Sequence, residues 1–213
     1  MNFVTSWSGG KDSCYAMMQA VKQGLTPKVL LNMMNENGKI SRSHGLPLSI
    51  LNQQAQKMQL PIETVPATWG DYEEKFIVIL KSLKSKFDLE AAVFGDIDLQ
   101  AHRDWEEKVC QAASLKAVLP LWQQDRIALV NEMIENGIET MIVSCNTIMG
   151  ESYLGKILTK ELALELLEKG IDPCGENGEF HTMVINCPLF SDKITLPAFT
   201  TTVHNDYCFV VWE

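Results

Sequence analysis

Long apolar runs are missing from this 213-residue chain, and nothing approaches the roughly 18 residues that a membrane span requires. Basic charge is in deficit: 18 Lys and Arg stand against 27 Asp and Glu, a net charge of −9 with a pI near 5.0. That balance gives no general attraction to nucleic-acid phosphates, so a nucleic acid is not an expected partner. Histidine is scarce, at four scattered residues, and the six cysteines at 14, 110, 145, 174, 187 and 208 include no Cys-x-x-Cys pair. A structural zinc site is therefore not expected. With no secretory leader pattern at the N-terminus, reduced thiols in a cytoplasm are expected. Internal repeats and low-complexity linkers are absent as well.

Two common phosphate motifs are excluded by counting. A Walker A loop needs a glycine five residues before its Gly-Lys pair, where this chain has Thr5, and Ser or Thr after the lysine, where it has Asp12. The dinucleotide fingerprint needs three spaced glycines, and only Gly9 and Gly10 are present.

What the chain does have is Ser6-Trp7-Ser8-Gly9-Gly10-Lys11-Asp12-Ser13, set between the apolar Phe3-Val4 and a helical pattern. Adjacent glycines allow a sharp turn and close approach of a ligand, and helix N-terminal amides favour an anion. Ser8 and Ser13 add hydroxyl donors, and Asp12 is a candidate for orienting amides or holding a phosphate-bound magnesium ion. The segment reads as a phosphate cradle, against the plainer alternative of a strand-to-helix turn.

Around it, short β-rich runs alternate with amphipathic helices up to about residue 120. The runs at Phe3 to Ser6, Lys28 to Met34, Ile62 to Val65, Ala91 to Gly95 and Ala117 to Leu119 read as strands. The intervening helices carry stripes such as Cys14, Met17, Met18 and Val21, then Tyr72, Phe76, Leu80, Leu83 and Phe87, then Trp105, Val109 and Ala112. Gly24 is placed to end the first helix. The expectation is an α/β fold, a doubly wound parallel five-stranded sheet with its ligand at the carboxyl ends of the strands. The glycine loop, the polar segment Ser41 to His44 and Gly95-Asp96 should then rim one crevice.

Beyond Pro120 the rhythm changes. Ile127, Val130 and Ile134 mark a helix closed by Gly137, Glu139 to Ser144 a strand, and Leu158, Leu162 and Leu166 a last helix before a β-prone tail. The expected division is 1–125 for nucleotide binding and 126–213 as a smaller α/β part for substrate. Its notable stretch is Asp172-Pro173-Cys174-Gly175-Glu176-Asn177-Gly178-Glu179-Phe180-His181-Thr182. Read plainly, this is a solvated Gly-rich turn. Read functionally, Glu176, Glu179 and His181 orient a substrate, bind a cation or move a proton.

Ser8 to Ser13 resembles the Ser-Gly-Gly-x-Asp-Ser loop of the N-type ATP pyrophosphatases. Together with Phe94-Gly95-Asp96-Ile97, His102-Arg103-Asp104-Trp105, Pro120-Leu121-Trp122 and the Gly-Glu-Asn-Gly-Glu loop, the chain resembles the diphthine ammonia ligase family and its bacterial relatives. The resemblance implies ATP-dependent amide formation. A carboxylate attacks the α-phosphate of ATP, pyrophosphate leaves, and ammonia displaces AMP from the acyl-adenylate. It implies ATP and Mg2+ as cofactors, with Ser6, Ser8, Gly9, Gly10, Lys11, Asp12, Ser13, His44, Gly95 and Asp96 at the nucleotide. Asp12 is the metal candidate, and Glu176, Glu179 and His181 are placed nearest the acyl group and ammonia. Lys11 ranks lower, because the family motif leaves its position open.

The diphthine-forming members usually have an acidic residue at the position of His181 and tyrosine at that of Phe180. The Glu-Phe-His-Thr ending resembles the bacterial branch, whose members have been suggested to act in cobalamin salvage or related amide chemistry. Diphthine is thus not the expected substrate. Alternatives left open are a non-catalytic ATP or AMP binder and a tRNA-modifying relative. The oligomeric state is open too, a homodimer included.

Overall fold

β1 (Asn2–Ser6) is apolar on both faces, with Phe3 and Val4 buried on opposite sides, and this makes it a central strand. In the computed structural model, which describes residues 1–213, β1 is followed by α1 (Lys11–Lys22), β2 (Thr26–Met34), α2 (Leu48–Lys57), β3 (Ile62–Pro66) and α3 (Tyr72–Phe87). Then come β4 (Ala91–Val93), α4 (Gln100–Ala112) and β5 (Lys116–Val118). The five strands pair in parallel in the order β3-β2-β1-β4-β5. This is the doubly wound sheet expected from the alternation. The order of winding reverses at β1, with β2 and β3 laid to one side and β4 and β5 to the other, so a crevice opens at its carboxyl end.

The rest of the chain forms α5 (Arg126–Glu135), β6 (Glu139–Asn146), α6 (Lys160–Glu168), β7 (Phe180–Asn186), β8 (Phe199–His204) and β9 (Tyr207–Trp212). These strands make a second, antiparallel sheet in the order β7-β6-β9-β8. One apolar cluster of 41 buried residues takes in Phe3, Leu30 and Met34 of the first sheet and Met141, Ile142 and Met183 of the second. The chain change near residue 125 therefore marks no gap in the core. A cluster of 15 residues on the other face joins Val4, Leu31 and Phe94 to Phe76, Leu80 and Val109 of α3 and α4.

Local signals explain most boundaries. Gly24, at φ +85°, ends α1 in a Schellman turn, its amide bonding the Val21 carbonyl while Leu25 bonds that of Ala20. Some helix phases differ from the sequence reading. Val21 is 37% exposed, because the fully buried Ala16 and Ala20 face the sheet, with Met18 half-buried at the edge of the core. Ala112 is exposed while Cys110 and Ala113 are buried, and Leu129 and Met133 take the core positions of α5 in place of the exposed Ile127. β4 ends at Val93, leaving Phe94 and Gly95 as loop, and Leu158 precedes α6 though it is buried.

All six cysteines are free and buried. No helix is long and apolar enough to cross a membrane.

A core shared between two sheets should melt as one unit. Urea unfolding is expected to give coincident transitions by circular dichroism and tryptophan fluorescence, and Met183→Ala should lower both by about 2–5 kcal/mol. Two separated transitions would contradict the shared core.

Candidate active site

The loop from β1 to α1 is shaped by packing as much as by conformational freedom. Gly9 sits at φ +87°, and a Cβ there would lie 2.5 Å from Leu46 Cδ1. A Cβ on Gly10, the residue capping α1, would lie 2.5 Å from His44 Cε1. Neither position admits a side chain. The Gly10 amide donates to Ser8 Oγ (3.3 Å) and the Lys11 amide to Thr182 Oγ1 (3.2 Å). The other first-turn amides, of Asp12 and Ser13, have no partner inside the helix, as at any helix start. Ser8 and Ser13 hydroxyls lie 3.1 Å apart at its mouth.

A residue that the sequence reading passed over holds this loop. Gln54 of α2 is fully buried, accepts from Trp7 Nε1 (2.9 Å), and donates to the carbonyls of Gly9 (3.0 Å) and Val184 (2.8 Å). The Val184 amide also donates to Gly9 O at 2.8 Å. The available signal was a glutamine in phase with the buried Ile50, Leu51 and Ala55.

The rim residues converge as expected around a crevice of about 670 Å³, lined by Ser6, Ser8, Lys11, Asp12, Ser13, His44, Gly95, Asp96, Glu176 and His181 among others. Gly95 backs directly onto the start of α1, where a Cβ would lie 2.8 Å from Ser13 N. One wall is aromatic. Tyr72 lies 5.7 Å from Trp105 and 5.9 Å from Trp69, whose ring is 76% exposed at the mouth. The volume falls in the range of small-ligand sites.

Lys11 is not free to sweep the crevice. It is buried, and its Nζ bonds Asp12 Oδ2 (2.9 Å) and the carbonyl of Cys174, tying the phosphate loop to the second motif. Burial alone would lower its pKa, but the carboxylates of Asp12 and Glu176 outweigh that and hold it above the usual value.

Of the two glutamates in the second motif, only one faces inward. Glu176 lines the crevice, and burial, with the nearby Asp12 carboxylate, pushes it up to about 8 against the opposing Lys11. Glu179 does not line it. Its carboxylate accepts from the amides of Asp172 (3.3 Å) and Asn177 (3.0 Å) and from Asn177 Nδ2 (3.1 Å), which makes it the internal brace of the 172–179 loop.

That loop is anchored by another residue with no sequence signal. Arg126 grips Asp98 with Nε (2.8 Å) and Nη2 (2.7 Å) and reaches Asp172 with Nη1 (2.5 Å). Asp172 in turn accepts from the amides of Cys174 (2.9 Å) and Glu176 (3.2 Å).

His44 and His181 stand together, ring centroids 4.8 Å apart. His44 Nδ1 donates to the Thr182 carbonyl at 2.7 Å, which leaves Nε2 as its acceptor. Burial pushes His44 down to about 4 and His181 to about 3, with Lys11 adding to both, so both imidazoles are neutral near pH 7. Across the crevice, Asp96 accepts from His102 Nδ1 at 2.6 Å. Burial would raise Asp96, but the bonds from His102 and Glu106 keep it low. Glu106 is pushed up to about 11 by burial and by Asp96, so it is the protonated partner.

No three His, Cys, Asp or Glu side chains are grouped to hold a metal ion. Asp12 Oδ1, however, is buried without a hydrogen-bond partner. A lone carboxylate oxygen of this kind fits a magnesium ion that arrives on a nucleotide and takes its other ligands from phosphates and water.

These buried neutral groups set how stability varies with pH. Glu176 and Glu106 start near 4.5 and reach about 8 and about 11 in the fold, so above pH 4.5 the folded state holds more protons and their contribution falls as pH rises. His44 and His181 start at 6.5 and drop to about 4 and about 3, so their contribution rises with pH until 6.5. The two pairs oppose each other from 4.5 to 6.5, and above that the carboxyls act together with His102, which its bond to Asp96 holds above 6.5. The urea midpoint of the ligand-free protein should fall from pH 6.5 to 8, and Glu176→Gln should fall less steeply. Parallel curves would show that Glu176 is already ionised in the fold.

Comparison with known proteins gives the family. A family model described as the diphthamide synthase N-terminal domain matches residues 1–117, and one described as its C-terminal domain matches residues 125–212. A protein of Danio rerio named diphthine-ammonia ligase is 32% identical over 234 residues, which covers 98% of this chain and 91% of that one. Its namesake from Homo sapiens is 30% identical over 223 residues, covering 93% and 84%. A solved structure, of a predicted subunit of tRNA methyltransferase from Methanocaldococcus jannaschii, aligns at 16% identity with a TM-score of 0.48 over 88% of this chain and 98% of its own. With both halves matched in order, this chain belongs to the diphthamide synthase family.

Proposed function

We propose that the protein is an ATP-dependent ligase that adenylates a carboxylate and passes the acyl group to ammonia. Relatives named diphthine-ammonia ligase support the ligase class. The observation that carries the reaction type is the meeting, in one 670 Å³ crevice, of a helix-start phosphate cradle with the ionisable carboxyl of Glu176.

In the first step the substrate carboxylate oxygen attacks the α-phosphorus, and the bond to the bridging oxygen of pyrophosphate breaks. Negative charge then builds on pyrophosphate, facing the Asp12 and Ser13 amides; the Ser8 and Ser13 hydroxyls, which bond each other and the Gly10 carbonyl, turn to it when it arrives. Asp12 would hold magnesium, whose charge neutralises the phosphates when bound. In the second step ammonia attacks the acyl carbon, AMP leaves, and a proton must be removed from nitrogen. Glu176, pushed up to about 8, accepts it in its ionised form, so this step quickens as pH rises toward 8. His181 and His44, both neutral, present ring nitrogens to the ligand without adding fixed charge. Glu179 and Arg126 act behind Glu176, by fixing its loop.

His181 bears on the substrate. An imidazole paired with His44 stands where the diphthine-forming members carry an acid, which favours a carboxylate other than diphthine, such as a corrinoid acid. A pure nucleotide-binding module would have no use for the second polar constellation.

With magnesium ATP, ammonium and a panel of carboxylic acids, one acid should stimulate release of AMP and pyrophosphate. ADP and phosphate as products would reject adenylation. Glu176→Gln should lower kcat by about 10²- to 10⁴-fold while leaving nucleotide affinity nearly unchanged. Unaltered turnover would remove Glu176 from the chemistry.

A further inference from the structure

Arg42 has no part in the reaction just described. It lies in the loop between β2 and α2, where a Met34–Ser41 bridge and a bond from the Arg42 amide to Met33 O (3.2 Å) fold the chain back along the end of β2. Its guanidinium carbon sits 4.6 Å from the centroid of the Trp69 ring, and its side chain is only 11% exposed. Nε and Nη2 are both buried, and neither has a hydrogen-bond partner. The one ion pair it makes is loose: Glu36 Oε2 is 3.7 Å from Nη2, beyond hydrogen-bond range, and that carboxylate is 68% exposed.

The pair of empty donors is specific. Nε–H and Nη2–H lie along one edge of a guanidinium and point the same way, a spacing that matches two oxygens of a carboxylate or phosphate. A buried cation without such a partner is costly. Space for the partner lies beside the side chain, and the donors reach it by a turn of the guanidinium. A cavity of about 80 Å³ borders Arg42 and shares Ser6, Ser8, Ser43 and His44 with the main crevice. A water occupies roughly 10–15 Å³ by this measure, so the cavity admits a group of several heavy atoms.

We infer that Arg42 is a side-on oxyanion clamp, a second anion subsite apart from the α1 amides, which takes a carboxylate or phosphate of the ligand bound in the crevice. The inference rests on the crevice being the nucleotide and substrate site. Two sources supply this chemistry: a phosphate of the nucleotide, or a carboxylate of the acyl substrate.

The test follows the Arg42 side-chain Nε–H resonance in the full chain, assigned by its loss in Arg42→Gln. Titrations use magnesium ATP, adenosine, and glutarate in the presence of AMP. A shift with magnesium ATP but not adenosine, with a dissociation constant about tenfold or more weaker in Arg42→Gln, assigns the clamp to a phosphate. A shift only with glutarate, and ATP affinity unchanged in the variant, assigns it to a carboxylate. Arg42→Lys, which keeps the charge but not the fork, should behave like Arg42→Gln in either case. If magnesium ATP binds the wild type and no anion moves the resonance, the clamp is wrong. If magnesium ATP fails to bind the wild type at all, the nucleotide reading of the crevice falls, and this inference with it.

Discussion

The carbonyl of Gly9 is held from two directions, by the Val184 amide and by Gln54 Nε2, and the site depends on that grip. A glycine pair is flexible by nature, and flexibility is of no use to a cradle that must present amides already aimed. Gln54 spends all three of its bonds on the loop and the strand beside it. Lys11 repeats the connection one step later, through Thr182 and Cys174. The phosphate loop is thus as much a part of β7 as of β1.

The same geometry governs the electrostatics. Burial and the nearby Asp12 and Asp96 carboxylates make Glu176 costly to ionise, and Lys11 is the buried ammonium that opposes them. Glu106 stays protonated and the two histidines stay neutral, so most of the buried titratable groups carry no charge at rest. An anionic nucleotide enters such a crevice by bringing cations, which accords with the bare Asp12 oxygen.

Local features were legible in the sequence. Gly-Gly before a helical stripe marked the strand-to-helix turn, Gly24 a helix end, and alternating strands and helices the parallel sheet with its crevice at the carboxyl ends. What stayed hidden depends on partners far along the chain. Gln54 meets Val184, and Arg126 meets Asp172, across separations that no periodicity reports. Glu176 and Glu179 look equivalent three residues apart, yet a turn at Gly178 (φ +82°) sends one into the crevice and folds the other onto its own backbone. Lys11 ranked low because the family motif leaves its position open, and its burial against Asp12 and the Cys174 carbonyl depends on contacts that a motif does not report. Arg42 was visible only as one polar residue among several, since an unpaired edge is a property of surroundings.

The bond between Lys11 and Thr182 spans 171 residues, and it is made at the first turn of the first helix. A ribosome therefore releases the glycine loop long before it releases the strand that fixes it. Until β7 arrives, the nascent chain carries the motif without the shape, and Gly9 and Gly10 sample conformations that close no ring of donors. Non-local contacts of this kind also slow folding. The shape of the glycine loop is consequently acquired only at the end of synthesis, when Thr182 and Val184 become available to it.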